Sequence, residues 1–121
     1  MNIQQTERDG VTILAPSGRI DTTTSGAVEQ AVKHAVDMGA RLLVIDFSGT
    51  EYISSAGLRV LMLAAKQARA QNGYLAVAAV QPLVQEILEI SKFTLVLRVL
   101  PSVREAVAAA SATGLAAFER G

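Results

Sequence analysis

The fold of this chain is decided by one stretch, residues 42–71, which reads LLVIDFSGTEYISSAGLRVLMLAAKQARAQ. Its first four residues form an uninterrupted apolar run, which is typical of a strand buried on both faces of a sheet. Asp46 ends the run, and a loop follows at the carboxyl end of the strand. The apolar residues then recur with the period of a helix. We therefore predict a strand, a loop and a helix that has Ser54 and Ser55 at its N-terminus, where sites tend to form in open α/β sheets.

The flanking sequence predicts further strands and helices around this unit. Asp9 and Gly10 form a strong turn signal, so we expect the chain to open with an antiparallel hairpin. The remaining predicted elements are a helix after residues 22–25, a strand over 74–80, a helix from Pro82, a strand over 94–98 and a helix from Ser102. The order β-β-α-β-α-β-α-β-α predicts an α/β domain, a mixed sheet opened by the hairpin with four α-helices packed against it.

The length and composition indicate one globular domain. The 121 residues suffice for a core, and 50% of them are hydrophobic, so disorder is not expected. The sequence contains no evident repeat or linker. Gly114 is a natural end for the last helix. We therefore predict a single domain over residues 1–113 and a C-terminal tail over residues 114–121.

The charge and the cysteine content exclude several classes of function. Eleven Lys and Arg balance eleven Asp and Glu, which does not favour a nucleic-acid or membrane-surface partner. The absence of cysteine excludes disulfides and thiolate metal sites. The first residues lack the pattern of a signal peptide, and no apolar run is long enough to span a bilayer. We expect a cytoplasmic protein that binds neither nucleic acid nor membrane.

The serine pair at positions 54 and 55 has two interpretations. A serine at a helix N-terminus accepts a hydrogen bond from the first turn, which stabilises a helix by about 1 kcal/mol. The same N-terminus favours an anion, so a phosphate on a serine there is well tolerated. Spacing alone favours capping over a phosphorylation site. Capping needs only one of the two serines, however.

The serine pair and Asp46 lack the neighbouring groups that a catalytic role would require. A hydrolase elbow needs glycine where Ile53 stands, and the single histidine, His34, falls on the polar face of the first predicted helix. To accept a phosphoryl group, Asp46 would need a pair of acidic residues near the first strand to hold magnesium. Asp21 stands alone there. We interpret both aspartates as loop caps that also shape the field near Ser55. No phosphate loop or metal-ligand spacing occurs, so we expect no catalytic residue, metal or cofactor.

The helix after the serines is predicted to carry a docking surface. Its core face should hold Leu58, Leu61, Ala65 and Ala68. The opposite face has an apolar centre with a basic and polar rim, as expected for a surface that binds another protein. The predicted partner-binding residues on this face are Arg59, Val60, Leu63, Lys66 and Gln67.

Residues 46–61, DFSGTEYISSAGLRVL, resemble the STAS domain, specifically the stand-alone bacterial anti-sigma factor antagonists. Two other stretches are similar to that family. They are GRID at positions 18–21, followed by threonines, and VQPLV at positions 80–84. The resemblance covers roughly residues 3–112, and its Ser-Ala-Gly-Leu segment is specific for the domain.

The resemblance implies a STAS fold without enzymatic activity and a phosphorylation site at Ser55. Its environment would comprise Ser54, Asp21, Asp46 and Gly57. It implies an anti-sigma factor as partner, which is also a serine kinase of the histidine-kinase-like ATPase type. The unphosphorylated protein would bind this kinase and so release the sigma factor, and a PP2C-type phosphatase would restore it.

The sequence departs from the family pattern at two places. The residue before the phosphorylated serine is often aspartate, whereas this chain has Ser54. The usual glycine near the end of the third helix is replaced around Lys92 and Phe93, which predicts a local change in the loop. The alternative function is a STAS subunit that is not phosphorylated and stays bound to a transporter or a larger signalling complex.

Overall fold

The computed structural model describes the backbone of residues 1–120 and the side chains of residues 1–112. Within that part, the strands are β1 Asn2–Arg8, β2 Val11–Ile20, β3 Leu42–Asp46, β4 Thr50–Ile53, β5 Tyr74–Ala78 and β6 Arg98–Leu100. The helices are α1 Ser25–Asp37, α2 Ser55–Ala70, α3 Pro82–Ile90 and α4 Val103–Arg120, with a turn of 3-10 helix at Phe93–Leu95.

The strands form one mixed sheet in the order β1-β2-β3-β5-β6, with β4 paired to β2 off this path. β1 and β2 are antiparallel, and all other pairs are parallel. The turn between β1 and β2 has positive φ at both Asp9 (54°) and Gly10 (78°), the conformation that a two-residue type I′ hairpin requires. The predicted mixed sheet, its opening hairpin and the four helices are confirmed.

The prediction of a loop between Asp46 and the serines is wrong over residues 50–53, because these residues form β4. β2 is long enough to pair with β3 near its start and with β4 near its end, where Ile20 lies opposite Ile53. The hydroxyl of Thr50 is buried and donates to the carbonyl of Pro16 at 2.8 Å. A register shift between Gly18 and Arg19 leaves Glu51 without a counterpart. Four residues with such a bulge are too few to show the alternation that identifies a strand.

The last strand and the last helix also differ from prediction. The strand predicted over 94–98 begins only at Arg98, because residues 93–95 form the 3-10 turn. This turn follows Lys92, whose φ of 61° reverses the chain at a position where glycine is favoured. α4 continues past Gly114, so the predicted end of this helix is wrong. The tail predicted over residues 114–121 lies outside the described side chains, and the division after residue 113 stays a prediction.

The helices pack on both faces of the sheet. Apolar side chains of α1, α2 and α3 share one buried cluster with β2, β3, β4 and β5. α4 covers the other face, where Ala106, Val107 and Ala110 lie against β2, β3 and β5. Tyr74 joins this second cluster, and its hydroxyl donates to the carbonyl of Ala106 at 3.4 Å. Burial raises the pKa of Tyr74, so the phenol keeps the proton that it donates.

The predicted faces of α2 are confirmed at their centres. Leu61 is 1% exposed and lies in the core, whereas Leu63 is 43% exposed on the outer face. The buried side is broader on its α1 flank than predicted, because α1 packs beside α2. It therefore includes Val60 and Ala64, both 5% exposed.

Two truncations in α2 should have unequal effects on stability. Leu61→Ala should lower the free energy of unfolding by about 2–5 kcal/mol, because it leaves a cavity in a packed core. Leu63→Ala should stay within about 0.5 kcal/mol of wild type, as is usual for exposed positions. Urea unfolding of the three proteins measures both values. Equal losses would contradict this orientation of α2.

Candidate functional site

The two serines at the start of α2 have different structural roles. Ser54 is the N-cap, with extended backbone (φ −91°, ψ 176°), and its hydroxyl accepts from the N–H of Gly57 at 3.4 Å. Its own N–H donates to the carbonyl of Ile20 at 2.8 Å. Ser55 is the first residue of the helix and is exposed. Among the described residues it finds no side-chain hydrogen-bond partner. Ser54 therefore caps the helix, and the hydroxyl of Ser55 faces solvent.

Gly57 lets the first turn of α2 lie directly on the ends of β2 and β4. A Cβ at this position would lie 2.6 Å from Cγ1 of Ile53 and 2.7 Å from Cγ2 of Ile20. Both isoleucines are 1% exposed and have no room to withdraw. The helix start is therefore fixed against the sheet, and this contact determines where Ser55 is presented.

The loop between β2 and α1 lies beside the serines, because Ile20 is paired with Ile53. One carboxylate oxygen of Asp21 accepts hydrogen bonds from the N–H (3.0 Å) and the hydroxyl (2.7 Å) of Thr23. The hydroxyl of Thr24 donates to the carbonyl of Arg19 at 2.7 Å and accepts from the N–H of Asp21 at 2.8 Å. In the sequence these threonines form only a run of possible N-caps, a pattern that does not specify their contacts.

Asp21 is a negative charge at the edge of the site. The hydrogen bonds from Thr23 hold the pKa of this carboxyl below its ordinary value. Asp21 is therefore ionised at neutral pH, and the stabilisation that its hydrogen bonds give the loop is lost only when the pH falls through the lowered pKa. Asp21 directly follows Ile20, which accepts a hydrogen bond from the N–H of Ser54, and its role in the environment of Ser55 stays a prediction.

Asp46 follows Ile45, which is paired with Leu14 in the first half of β2, whereas the serines follow Ile53, which is paired with Ile20 at the end of that strand. Its carboxylate accepts a hydrogen bond from the N–H of Ser48 at 2.9 Å and so caps the loop between β3 and β4. Gln81 holds the other side of this loop, since its amide donates to the carbonyl of Ser48 at 2.7 Å. No described hydrogen bond connects Asp46 with Ser55.

Four of the five residues predicted to bind a partner are accessible on the outer face of α2, and their role in binding stays a prediction. Arg59, Leu63 and Lys66 are exposed, and Gln67 is half-buried. Val60 was assigned to this surface on sequence grounds, and that assignment is wrong, because α1 covers it and leaves only 5% of it exposed.

Val60 instead forms the floor of a shallow groove between α1 and α2. Leu63 and Gln67 line the groove on the α2 side, and Glu29 and Lys33 line it on the α1 side. The α1 residues were not identified from the sequence, because their proximity to α2 depends on how the two helices pack.

The described residues offer no other obvious centre for chemistry. No group of three or more His, Cys, Asp or Glu side chains among them could hold a metal ion. His34 is exposed in the last turn of α1, as predicted. None of the helices in this part of the chain is both long and apolar enough to cross a membrane.

The class of domain is defined by the mixed sheet, the helices on both of its faces and the serine-capped α2. Comparison with known proteins identifies the family. The chain matches the STAS domain model over residues 2–106 and belongs to this family. It is 39% identical over 115 residues to BtrV of Bordetella bronchiseptica, a protein provisionally named an anti-sigma factor antagonist. That match covers 95% of this chain and 98% of BtrV.

Solved structures show the same fold. The crystal structure of an anti-sigma factor antagonist from Mycobacterium paratuberculosis superimposes with a TM-score of 0.83 at 28% identity, covering 90% of this chain and 92% of the other. The Bacillus cell fate determinant SpoIIAA in its phosphorylated form superimposes with a TM-score of 0.68 at 14% identity. That comparison covers 88% of this chain and 96% of SpoIIAA and shows likeness of fold.

The close contact at Gly57 predicts unequal effects for two glycine substitutions. Gly57→Ala should lower the free energy of unfolding by about 1–3 kcal/mol, because the methyl group overpacks the core at Ile20 and Ile53. Gly26→Ala in α1 is the matched control. Nothing lies within 4 Å of its Cβ position, and it is the second residue of α1, so alanine should change the free energy of unfolding by less than about 0.5 kcal/mol. Thermal and urea melts measure both, and a neutral Gly57→Ala would contradict the fixed helix start.

Proposed function

We propose that this protein is an anti-sigma factor antagonist whose binding is switched by phosphorylation of Ser55. The observation that carries the proposal is the division of roles between the serines. Ser54 caps α2, and Ser55 leaves an exposed hydroxyl at the first helical position. The named relatives support the antagonist role, since BtrV and the Mycobacterium protein both carry that description.

A phosphate on Ser55 should be compatible with the folded domain. The first N–H groups of a helix lack partners within the helix, and its N-terminus carries the positive end of the dipole. No acidic residue occupies the first turn of α2. The ionised Asp21 nearby opposes the added charge but is itself engaged with Thr23. Phosphorylation should therefore change the charge of the surface and leave the fold intact.

The unphosphorylated protein binds the anti-sigma factor through the outer face of α2 in this proposal. Leu63 supplies an apolar centre, and Arg59 and Lys66 supply a basic rim. A phosphate would place about −1.5 to −2 charges at the edge of this face. A partner that packs there must then desolvate the anion, which is costly unless a cation pairs with it. Binding is lost, and the anti-sigma factor returns to the sigma factor.

The partners follow from this cycle. The anti-sigma factor would itself be a serine kinase of the histidine-kinase-like ATPase type, and a PP2C-type phosphatase would remove the phosphate. The chain would have no catalytic activity of its own and would act in the cytoplasm, where ATP is available to the kinase.

Serine substitutions should identify the acceptor. Purified kinase from the same genome and ATP should phosphorylate wild type and Ser54→Ala but not Ser55→Ala, because only the hydroxyl of Ser55 is free of the cap. Mass spectrometry of the intact and digested protein measures this. If labelling disappears in Ser54→Ala and persists in Ser55→Ala, the acceptor is Ser54 and the proposed assignment to Ser55 is wrong.

Phosphorylation should weaken binding to the kinase. The phosphorylated protein should bind about ten-fold or more weakly, which corresponds to about 1.4 kcal/mol for each decade. Ser55→Asp should imitate this in part, because aspartate carries less charge. Leu63→Arg should weaken binding without preventing phosphorylation of Ser55. Calorimetric titration measures each affinity, and circular dichroism controls for folding. Equal affinities for the two forms would contradict the switch and favour a constitutively bound STAS subunit.

A further inference from the structure

A stacked pair of side chains lies next to the serines on the opposite face of the sheet. The guanidinium carbon of Arg19 is 4.4 Å from the centroid of the Tyr52 ring. The two residues are register partners in β2 and β4. They directly precede Ile20 and Ile53, which point into the core beneath α2. Because successive side chains in a strand alternate, Arg19 and Tyr52 lie on the other face.

The described side chains of α4 leave this part of the sheet uncovered. The buried cluster under α4 takes only Val11 and Ile13 from β2 and contains no residue of β4. Arg19 is exposed, and Tyr52 is half-buried. Within the described part of the chain, the guanidinium contacts the Tyr52 ring and pairs with no carboxylate, the neighbouring Glu51 included. A fixed cation without a counter-charge therefore stands on an open sheet surface.

We propose that Arg19, held by Tyr52, is a second contact for the anti-sigma factor kinase and binds an acidic side chain of that partner. This inference rests on the proposed function, since it concerns the same partner. It adds a contact on the face of the sheet opposite to α2. It also assigns the charge of the partner's group, because an unpaired guanidinium selects a carboxylate.

The chemistry of the pair suits a protein interface. A guanidinium that stacks on a ring keeps the N–H groups at its edge free to donate, and its planar fork binds a carboxylate through two hydrogen bonds. Stacking also orders the long side chain in advance, which lowers the entropy lost on binding. Arginine and tyrosine are among the residues enriched at the energetic centres of interfaces.

The position of the pair allows one partner to reach it together with Ser55. The carbonyl of Arg19 accepts from Thr24 in the loop beside the serines, and Tyr52 precedes the N-cap residue Ser54 by two positions. A standard interface covers about 800 Å² on each partner. A partner seated over the carboxyl-terminal ends of β2 and β4 can therefore contact α2 on one side and Arg19 on the other.

The chain contains a second pair of the same composition that serves as a control. Arg98 stacks on Tyr74 at 4.7 Å. Tyr74 is only 2% exposed and belongs to the core under α4. This pair starts β6 and β5, whereas Ser55 follows the carboxyl end of β4. It therefore lies at the opposite end of the sheet from the serines, where it should play no part in the binding of this partner.

The test is a calorimetric titration of the purified kinase with unphosphorylated variants. Arg19→Ala should bind about ten-fold more weakly than wild type, a loss typical of an interface hot spot. The affinity of Arg19→Lys should lie between those of wild type and Arg19→Ala, because lysine keeps the charge but lacks the planar fork. Arg98→Ala should bind within about two-fold of wild type, as a residue outside the interface. Thermal melts of each variant show which of them remain folded.

The salt dependence gives a readout that a purely structural role of Arg19 would not change. The affinity of wild type should fall more steeply with added NaCl than that of Arg19→Ala, because the variant has lost a charged contact. Wild-type affinity in folded Arg19→Ala, or equal losses in Arg19→Ala and Arg98→Ala, would overturn the inference. If Ser55→Asp still weakens binding in that case, the proposed function survives. No binding by wild type would overturn both.

Discussion

The structure of this site depends on one close contact, the approach of the first turn of α2 to the ends of β2 and β4. Only a hydrogen atom fits between Gly57 and the buried side chains of Ile20 and Ile53. The backbone hydrogen bond from Ser54 to Ile20 fixes the same junction. The start of the helix is thus determined by the core, and Ser55 is exposed as a consequence of that packing.

This arrangement would allow one small domain to carry the proposed phosphate without a conformational change. The capping hydrogen bond comes from Ser54, so chemistry at the neighbouring hydroxyl does not remove it. The helix N-terminus stabilises an anion by an amount that reaches about 2 kcal/mol in favourable geometry. In the switch that we propose, phosphorylation would therefore act on the partner's cost of desolvation, and the folded domain would accommodate both charge states.

The sequence predicted what local patterns encode. The Asp9-Gly10 turn, the position of α2 and the opposite exposures of Leu61 and Leu63 are all present in the structure. The elements that were missed depend on tertiary neighbours. β4 is short and bulged at Glu51, and it exists because β2 extends far enough to pair with it. Val60 is buried only because α1 packs beside α2, which no periodicity within α2 reveals.

The position of the candidate site could be predicted from the sequence, but its details could be predicted only in part. Spacing placed both serines at a helix N-terminus but could not divide their roles, because that depends on which residue adopts the extended N-cap backbone. The left-handed conformation of Lys92 shows the same limit, since a side chain can occupy a position that favours glycine. The Arg19–Tyr52 pair follows from strand register, which the missed β4 concealed.

The central claim is that a phosphate on Ser55 alters a surface and leaves the fold unchanged. Amide ¹H–¹⁵N NMR spectra of the protein before and after phosphorylation test it most directly. We expect shift changes confined to the loop at residues 21–24 and the first two turns of α2, with the other amides unmoved. Changes that spread through α3 and α4, or a loss of spectral dispersion, would contradict the account.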